Sequence, residues 1–262
     1  MDTTTEVKTK PLVTILMLTY NRAHFLPEAI DSVLHQTCSD WELVIIDDGS
    51  TDGTKDLIAS YTDPRIRYIR HEDNAGLFVR RVESLSYATG VYTAILDSDD
   101  YWPGENKLTE QVAFLDINPE YVVVGTQAEL IDAEGKNLGS YQVATTDSDI
   151  RNIILRRNQF IHSSLLIRTE TLKKTDGYQP TLAEDLELVL QLGKHGKLAN
   201  LPFPHTAHRE HSDSENDHGI KMARGVDWII ARHAYAYHHA ISARLFSKLR
   251  LSLGSLKAFL SQ

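Results

Sequence analysis

Asp97-Ser98-Asp99-Asp100 places three carboxylates within four positions, directly after the apolar run Val91–Asp97 (VYTAILD). Carboxylates crowded at the exposed end of a buried strand repel one another and need a compensating charge. A hard divalent cation, which prefers oxygen ligands, supplies it. Held there, it can bridge two phosphates and neutralise a departing diphosphate. The same tetrapeptide also suits a solvated turn or a helix N-cap, where Asp is favoured, and the string alone leaves both readings open.

Two further polar segments follow apolar runs. Asp47-Asp48-Gly49-Ser50-Thr51-Asp52-Gly53-Thr54 offers Asp and Ser side chains to a base or ribose, with glycine for a tight turn. Equally, it is a polar turn capping a helix that starts at Thr54. Thr19-Tyr20-Asn21-Arg22 offers an aromatic face, an amide and a guanidinium, suited to stacking on a base and contacting phosphate. Alone it is a strand end and a helix entry. His205, His208 and His211 recur at three-residue steps around Arg209. They either complete a metal site or form a polar surface loop, and no other zinc-type ligands lie nearby in sequence. Cys38 reads as a core residue rather than a nucleophile.

The elements that position these residues follow from apolar patterning. Leu12–Leu18, Glu42–Asp47, Ile66–Arg70 and Val91–Asp97 read as strands, alternating with helices over Phe25–Gln36, Thr54–Tyr61 and Leu77–Ala88. Short-linked strand–helix alternation implies a parallel sheet covered on both faces. Ligands of such sheets bind beyond the carboxyl ends of the strands. That places Thr19–Arg22, Asp47–Thr51, His71–Gly76 and Asp97–Asp100 along one rim. In the second half, strands are expected at Tyr121–Asp132, after the turn Asp132–Gly135, and at Ser163–Arg168 and Lys197–Leu201. A helix is expected at Asp185–Lys194, a polar loop at Pro202–His218, and helix from Lys221 to near the end. Ile241, Leu245, Leu249, Leu253, Leu256 and Leu260 make an apolar stripe at helical spacing.

The chain has 262 residues, 42% hydrophobic and 24% charged, which suits one large domain or one domain plus an extension. Its single cysteine excludes an internal disulfide and fits a reducing, cytoplasmic setting. Met1–Lys10 is polar and lacks the apolar core of a signal peptide. No run of about 18 apolar residues is present, so no membrane-spanning helix is expected. Residues 218–262 hold seven Lys/Arg and one acid, +6, so the remaining residues sum to −15 to give the net charge of −9. An acidic body argues against nucleic-acid binding. The basic tail suits packing on the body, self-association, or peripheral contact with the inner face of a membrane.

Together, PLVTILMLTYNR, SVLHQT, WELVIIDDGSTDGT, NAGL with Arg81, and ATGVYTAILDSDDYWPGENKL resemble the inverting glycosyltransferase family 2, with the GT-A fold. The match covers residues 11–116. It continues more weakly through HSSLLIR, DGYQP and AEDLELVLQLGKHGKL to about residue 201. The resemblance implies an α/β architecture with a GT-A domain: a Rossmann-like, mostly parallel central sheet flanked by helices, to which the helical spacing after Lys221 adds a C-terminal helical extension without family signal. The expected organisation is a flexible N-terminus at 1–10 and a GT-A domain over 11–217. That domain divides into a nucleotide-sugar half (11–116) and an acceptor half (117–217), followed by a basic helical extension at 218–262.

The family's roles, carried over, place Tyr20 on the base with Thr19 and Arg22 beside it. Asp48 accepts a hydrogen bond from the base, often uracil, and Arg81 lies near the nucleotide. Asp97-Ser98-Asp99 forms the Asp-X-Asp element, with Asp97 toward the ribose and Asp99 toward metal and diphosphate. Asp97 and Asp99 are the implied ligands of Mn2+ or Mg2+, and Asp100 supports them. Glu184-Asp185 matches the family's Glu-Asp pair, whose Asp is the usual catalytic base. The bare sequence reads Asp185 as a helix-start acid favoured by the dipole. His208, Arg209 or His211 would face the diphosphate from a closing loop. The implied partners are a nucleotide-sugar donor, most simply a UDP-sugar, and a glycan, lipid-linked or protein acceptor.

Val82 departs from the pattern where many relatives have Asn. Gln191 stands where an arginine commonly follows the Glu-Asp helix, removing a positive charge near the acceptor. Two other functions use similar residues. A sugar nucleotidyltransferase would need a glycine-rich phosphate loop, and Leu12–Arg22 has no glycine. A non-catalytic nucleotide-sugar-binding scaffold is disfavoured by the retained Asp97, Asp99 and Asp185.

Overall fold

The computed structural model describes residues 10–210 and 219–237. Strand β1, Val13–Thr19, is buried on both faces. Val13, Ile15 and Met17 enter one apolar cluster, whereas Leu16 enters the other. This two-sided burial is the signature of a parallel sheet sandwiched between helices. β1 pairs in parallel with β2 (Trp41–Asp47) and β4 (Tyr92–Ile95), and β2 in parallel with β3 (Ile66–Arg70). Helices α1 (Leu26–Leu34), α2 (Thr54–Ala59) and α3 (Leu77–Ser84) form the crossovers. In α1, Pro27 sits in the first turn, where its missing N–H costs nothing. Leu26, Ala29, Ile30 and Val33 then bury one stripe. Each such large aliphatic side chain contributes about 1.5–3 kcal/mol on leaving water.

Beyond β4 the sheet becomes mixed. Helix α4 (Lys107–Ile117) leads into the long strand β5 (Tyr121–Ile131), which turns back into β6 (Asn137–Tyr141). Helix α5 (Asp147–Ile153) and a 3-10 turn at His162–Ser164 precede β7 (Leu166–Arg168), α6 (Thr169–Leu172), α7 (Glu184–Leu192) and β8 (Lys197–Arg209). The sheet order is β3-β2-β1-β4-β7-β5-β6, with β8 parallel to β5. β7 is antiparallel to both β4 and β5, and it joins the two halves. The expected mostly parallel sheet flanked by helices is present.

Several boundaries differ from expectation, and the helix expected from Lys221 to near the end stops at His233. The polar segment predicted as a loop from Pro202 is strand through Arg209, because β5 offers a full-length pairing edge. Pro202 and Pro204 lack N–H groups, and the register shifts at Thr126/Gln127 and Gln127/Ala128 absorb them. The strand predicted from Ser163 begins at Leu166, since Ser164 Oγ closes the 3-10 turn onto the Ile161 carbonyl and Ser163 Oγ is drawn to Asp100. The helix predicted over Leu77–Ala88 ends at Ser84, with a 3-10 turn over Leu85–Tyr87. Helix α8 covers Gly219–His233, and its Ile229 and Ile230, with Tyr237 beyond it, join the core of the body. His211, the stripe from Ile241 to Leu260 and residues 1–9 lie outside the described residues. Among the described residues no helix is long and apolar enough to cross a membrane.

Candidate functional site

The loops after β1 and β2 are tied to each other. Asn21 holds the left-handed conformation, φ 54°. Its side-chain oxygen accepts from the Thr51 and Asp52 N–H groups at 2.8 and 3.3 Å, and its own N–H donates to Ser50 Oγ at 2.9 Å. This leaves the Tyr20 ring 43% exposed, an open aromatic face. Thr19 is buried, and its Oγ1 has no hydrogen-bond partner among the described residues. Asp47 is structural: it accepts from Ser50 N–H at 2.8 Å and Tyr68 Oη at 2.5 Å. Gly49 has φ +77°, and a Cβ there would stand 2.9 Å from the Asp73 carbonyl carbon, so glycine is required.

The Asp48 carboxylate accepts from Ala75 N–H and Gly76 N–H, both at 2.8 Å, and from Arg80 Nε at 2.6 Å. Burial works against its charge, but these donors outweigh that and hold it below the usual carboxylate range. Asp48 thus builds the turn entering α3 as well as facing the rim.

The carboxylates after β4 are held by separate cations. Arg81 Nη1 lies 3.2 Å from Asp97 Oδ1, and Arg81 Nε lies 3.0 Å from Glu184 Oε1. One buried guanidinium therefore links the Asp-Ser-Asp loop to the first turn of α7. His162 Nδ1 lies 3.1 Å from Asp97 Oδ2, and its Nε2 lies 2.9 Å from Tyr178 Oη. Burial opposes ionisation of Asp97, yet Arg81 and His162 prevail and hold its carboxyl far below the usual range. Burial pushes the Glu184 carboxyl upward, with Arg81 opposing.

Asp100 is fully engaged within the chain. It accepts from Ser163 Oγ at 2.5 Å and from the Arg209 N–H at 2.8 Å, with His208 Nδ1 at 3.1 Å. Beneath it, Trp102 Nε1 donates to the Ser163 carbonyl at 2.8 Å. Lys107 is buried 4.0 Å over the Trp102 ring, and its Nζ donates to Gln111 Oε1 at 2.8 Å. Burial pushes the Lys107 amine well below its ordinary value. Ser98 is buried in the same loop, and Asp99 stays partly exposed with Arg22 4.0 Å away.

Asp185 lies in the first turn of α7, and Asn158 Nδ2 donates to its Oδ2 at 2.8 Å. Beside it, Ala75, Gly76, Leu77, Phe78, Thr181, Leu182 and Glu184 line a cleft of about 270 Å3. This cleft joins the turn that Asp48 organises to the helix that carries Asp185. Gln191, expected to leave a missing charge beside the acceptor, is buried instead. It donates to the Gly177 carbonyl and accepts from Asp176 N–H at 2.7 Å. It also bonds to Glu187, a fully buried carboxylate. Two side chains of α8 reach the same carboxylate: the Arg232 guanidinium, with Nε 3.2 Å from Glu187 Oε1, and His233, with Nε2 3.0 Å from it.

Among the described residues no group of three or more His, Cys, Asp or Glu is arranged to hold a metal ion. Mg2+-type ions commonly take one or two protein carboxylates and complete their shell with phosphate and water. The partly exposed Asp99, with Asp97 behind it, fits that sparse oxygen set. Arg209, expected at the diphosphate, is engaged within the chain beside the Asp99 loop. Its guanidinium donates to the Asp99, Asp132 and Ala133 carbonyls and pairs with Glu28. His208 keeps a partly exposed ring. Burial lowers its pKa, but the Asp100 carboxylate more than offsets this and lifts it to about 9. His205 bonds to Glu110 at 3.0 Å.

Sequence reasoning gave no role to Arg80, Asn158, His162 or Tyr178. The signal for Arg80 was its pairing with Arg81 on one helix. His162 stood at the head of HSSLLIR, a matched stretch whose first residue carried no assignment.

The sequence profile described as Glycosyl transferase family 2 matches residues 14–177. The chain is 33% identical over 195 residues to EpsE of Bacillus subtilis strain 168, a putative glycosyltransferase, covering 71% of this chain and 68% of EpsE. It is 40% identical over 104 residues to WfgD of Escherichia coli, named as a UDP-Glc:alpha-D-GlcNAc-diphosphoundecaprenol beta-1,3-glucosyltransferase. That match covers 40% of this chain and only 41% of WfgD. In fold, it is similar to the mannosyltransferase PcManGT of Pyrobaculum calidifontis, solved with GDP-Man and Mn2+. The TM-score is 0.65 at 19% identity, covering 97% of this chain and 79% of that one.

Proposed function

Starting from the fact that this chain belongs to glycosyltransferase family 2, we propose that it moves a sugar from a nucleotide diphosphate, most simply UDP, onto an acceptor hydroxyl with inversion at the anomeric carbon. The observation that carries the reading is the single Arg81 guanidinium joining Asp97 to Glu184. It ties the segment assigned to the donor to the helix turn assigned to the acceptor.

Tyr20 offers its exposed ring to the base, with Thr19 Oγ1 and Arg22 beside it. The backbone turn built on Asp48 borders the same cleft as Glu184. Asp97 and Ser98 face the ribose side. Asp99 and Asp97 are the residues that would hold Mn2+ or Mg2+, which when bound supplies positive charge against the diphosphate. His208 adds a second positive charge near that loop. Asp185, oriented by Asn158, removes the acceptor proton as the hydroxyl attacks. Glu184, balanced by Arg81, holds the turn that presents it.

The reading is tested by incubating the chain with a panel of nucleotide sugars and Mn2+. Release of nucleoside diphosphate supports the transferase. Release of pyrophosphate points to a nucleotidyltransferase, and binding without turnover under every acceptor condition points to a scaffold. We expect Asp99→Ala to abolish metal-dependent binding of UDP in calorimetry; an unchanged titration removes the metal role from Asp99.

A further inference from the structure

Arg209 closes β8 with its side chain 3% exposed, so its donors serve the fold rather than solvent. A buried guanidinium is costly unless its charge and its N–H groups are met. Here they are met on three sides. Nε donates to the Asp99 carbonyl at 2.8 Å, Nη1 to the Asp132 and Ala133 carbonyls at 3.1 and 3.0 Å, and Nη2 to the Glu28 carboxylate of α1. The Phe25 ring covers the guanidinium, with its centroid 4.7 Å away. The backbone N–H of Arg209 donates in addition to Asp100 Oδ1 at 2.8 Å. One residue thus grips two successive members of the Asp97–Asp100 loop, the first by its carbonyl and the second by its side chain.

The three acids of that loop are held in different ways. Asp97 is fixed through its carboxylate by Arg81 and His162, and Asp100 through its carboxylate by Ser163, His208 and the Arg209 N–H. Asp99 is gripped at its carbonyl, and its carboxylate stays partly exposed. The far end of the grip is a well-tied turn between β5 and β6. Asp132 Oδ1 accepts from the Glu134 and Lys136 N–H groups at 3.1 and 2.8 Å, and the Gly135 N–H donates to the Asp132 carbonyl at 3.0 Å. A planar guanidinium with its donors in a fixed fork carries that rigidity across to Asp99; a lysine ammonium on a flexible stem does not. A small divalent ion that takes only one or two protein carboxylates depends on where each is held. Groups behind the ligands set that orientation. We propose that Arg209 is the positioning residue of Asp99: it pins the Asp99 carbonyl between the β5–β6 turn and α1, and so aims the Asp99 carboxylate at the cation without touching cation, nucleotide or acceptor. This rests on the transferase reading, in which Asp99 holds Mn2+ or Mg2+.

The test titrates Mn2+ into the full chain with saturating UDP and reads the free ion by electron paramagnetic resonance. UDP alone is titrated calorimetrically without metal. Arg209→Met is expected to weaken Mn2+ binding by about tenfold or more, the usual effect of losing a group behind a metal ligand, and to leave metal-free UDP affinity unchanged. Arg209→Lys is expected to weaken Mn2+ binding to the same degree, because it restores the charge and not the fork. It keeps the buried charge and most of the hydrocarbon, and carries the test should Arg209→Met fail to fold. Full rescue of Mn2+ affinity by Arg209→Lys overturns the proposal, since charge alone would then suffice. A metal-free UDP affinity that falls in step with Mn2+ binding also overturns it, by placing Arg209 on the diphosphate. Asp99→Ala in the same titration separates the two readings. If Asp99→Ala keeps full Mn2+ affinity, the metal role of Asp99 falls and the proposal with it. If Asp99→Ala loses the ion while a folded Arg209→Met keeps it, only the positioning role is overturned.

Discussion

The two halves of the molecule hold their functional carboxylates in different ways. In the amino-terminal half, Asp47 and Asp48 are fixed by residues no more than 32 positions away, and Asn21 stitches one rim loop to the next. In the carboxyl-terminal half, α7 carries Asp185 and the buried Glu187 in its first turn. Two of the partners of Glu187, Arg232 and His233, come from α8. The Asp47 and Asp48 loops are thus completed within the parallel sheet, whereas Asp97, Asp100 and Glu187 are completed by chain that follows it.

The largest effect is expected at the joint between the halves. Arg81→Met leaves Asp97 and Glu184 facing each other without their shared cation, and breaking a buried pair in this way costs about 3–5 kcal/mol. Urea denaturation measures it. A loss under about 1 kcal/mol would mean that the halves are held together elsewhere. Next, Asp185→Asn is expected to lower turnover by roughly two orders of magnitude or more while leaving nucleotide-sugar affinity unchanged. Near-normal turnover reassigns the base and erases the division of labour drawn above. The smallest effect belongs to His233→Ala, which removes one partner of Glu187 at a cost of about 1–3 kcal/mol. We expect it to raise the acceptor KM and leave the donor Kd alone. A donor Kd that rises in step with the loss of stability would show that α8 supports both sides equally.

Legibility in the sequence followed the same divide. The four parallel strand ends and their polar loops were readable because each strand was a short apolar run closed by Gly, Asp or Asn. The burial of β1 and β2 on both faces left little alternative. β8 was misread past Leu201 because its two prolines and its histidines look like loop, and only the partner edge of β5, 70 or more residues earlier, makes them strand. The engagement of Arg209 within the chain was hidden for a related reason. Its guanidinium reaches the Asp132 and Ala133 carbonyls, acceptors that no local pattern announces. Gln191 looked like a lost charge, but the charge enters from Arg232, 41 positions on. Short-range chemistry was legible, whereas substitutions compensated across the sheet were not.

Lys107, hidden under Trp102 with an uncharged amide for company, gives the whole fold an acid–base character of its own. Its folded amine titrates well below the ordinary value that the open chain shows, about 10.4. Between those two values the open chain binds the extra proton, so folding sheds one, and the native state gains ground as the medium becomes more alkaline. Calorimetric refolding in buffers of different ionisation enthalpy should register that release, and Lys107→Met should silence it.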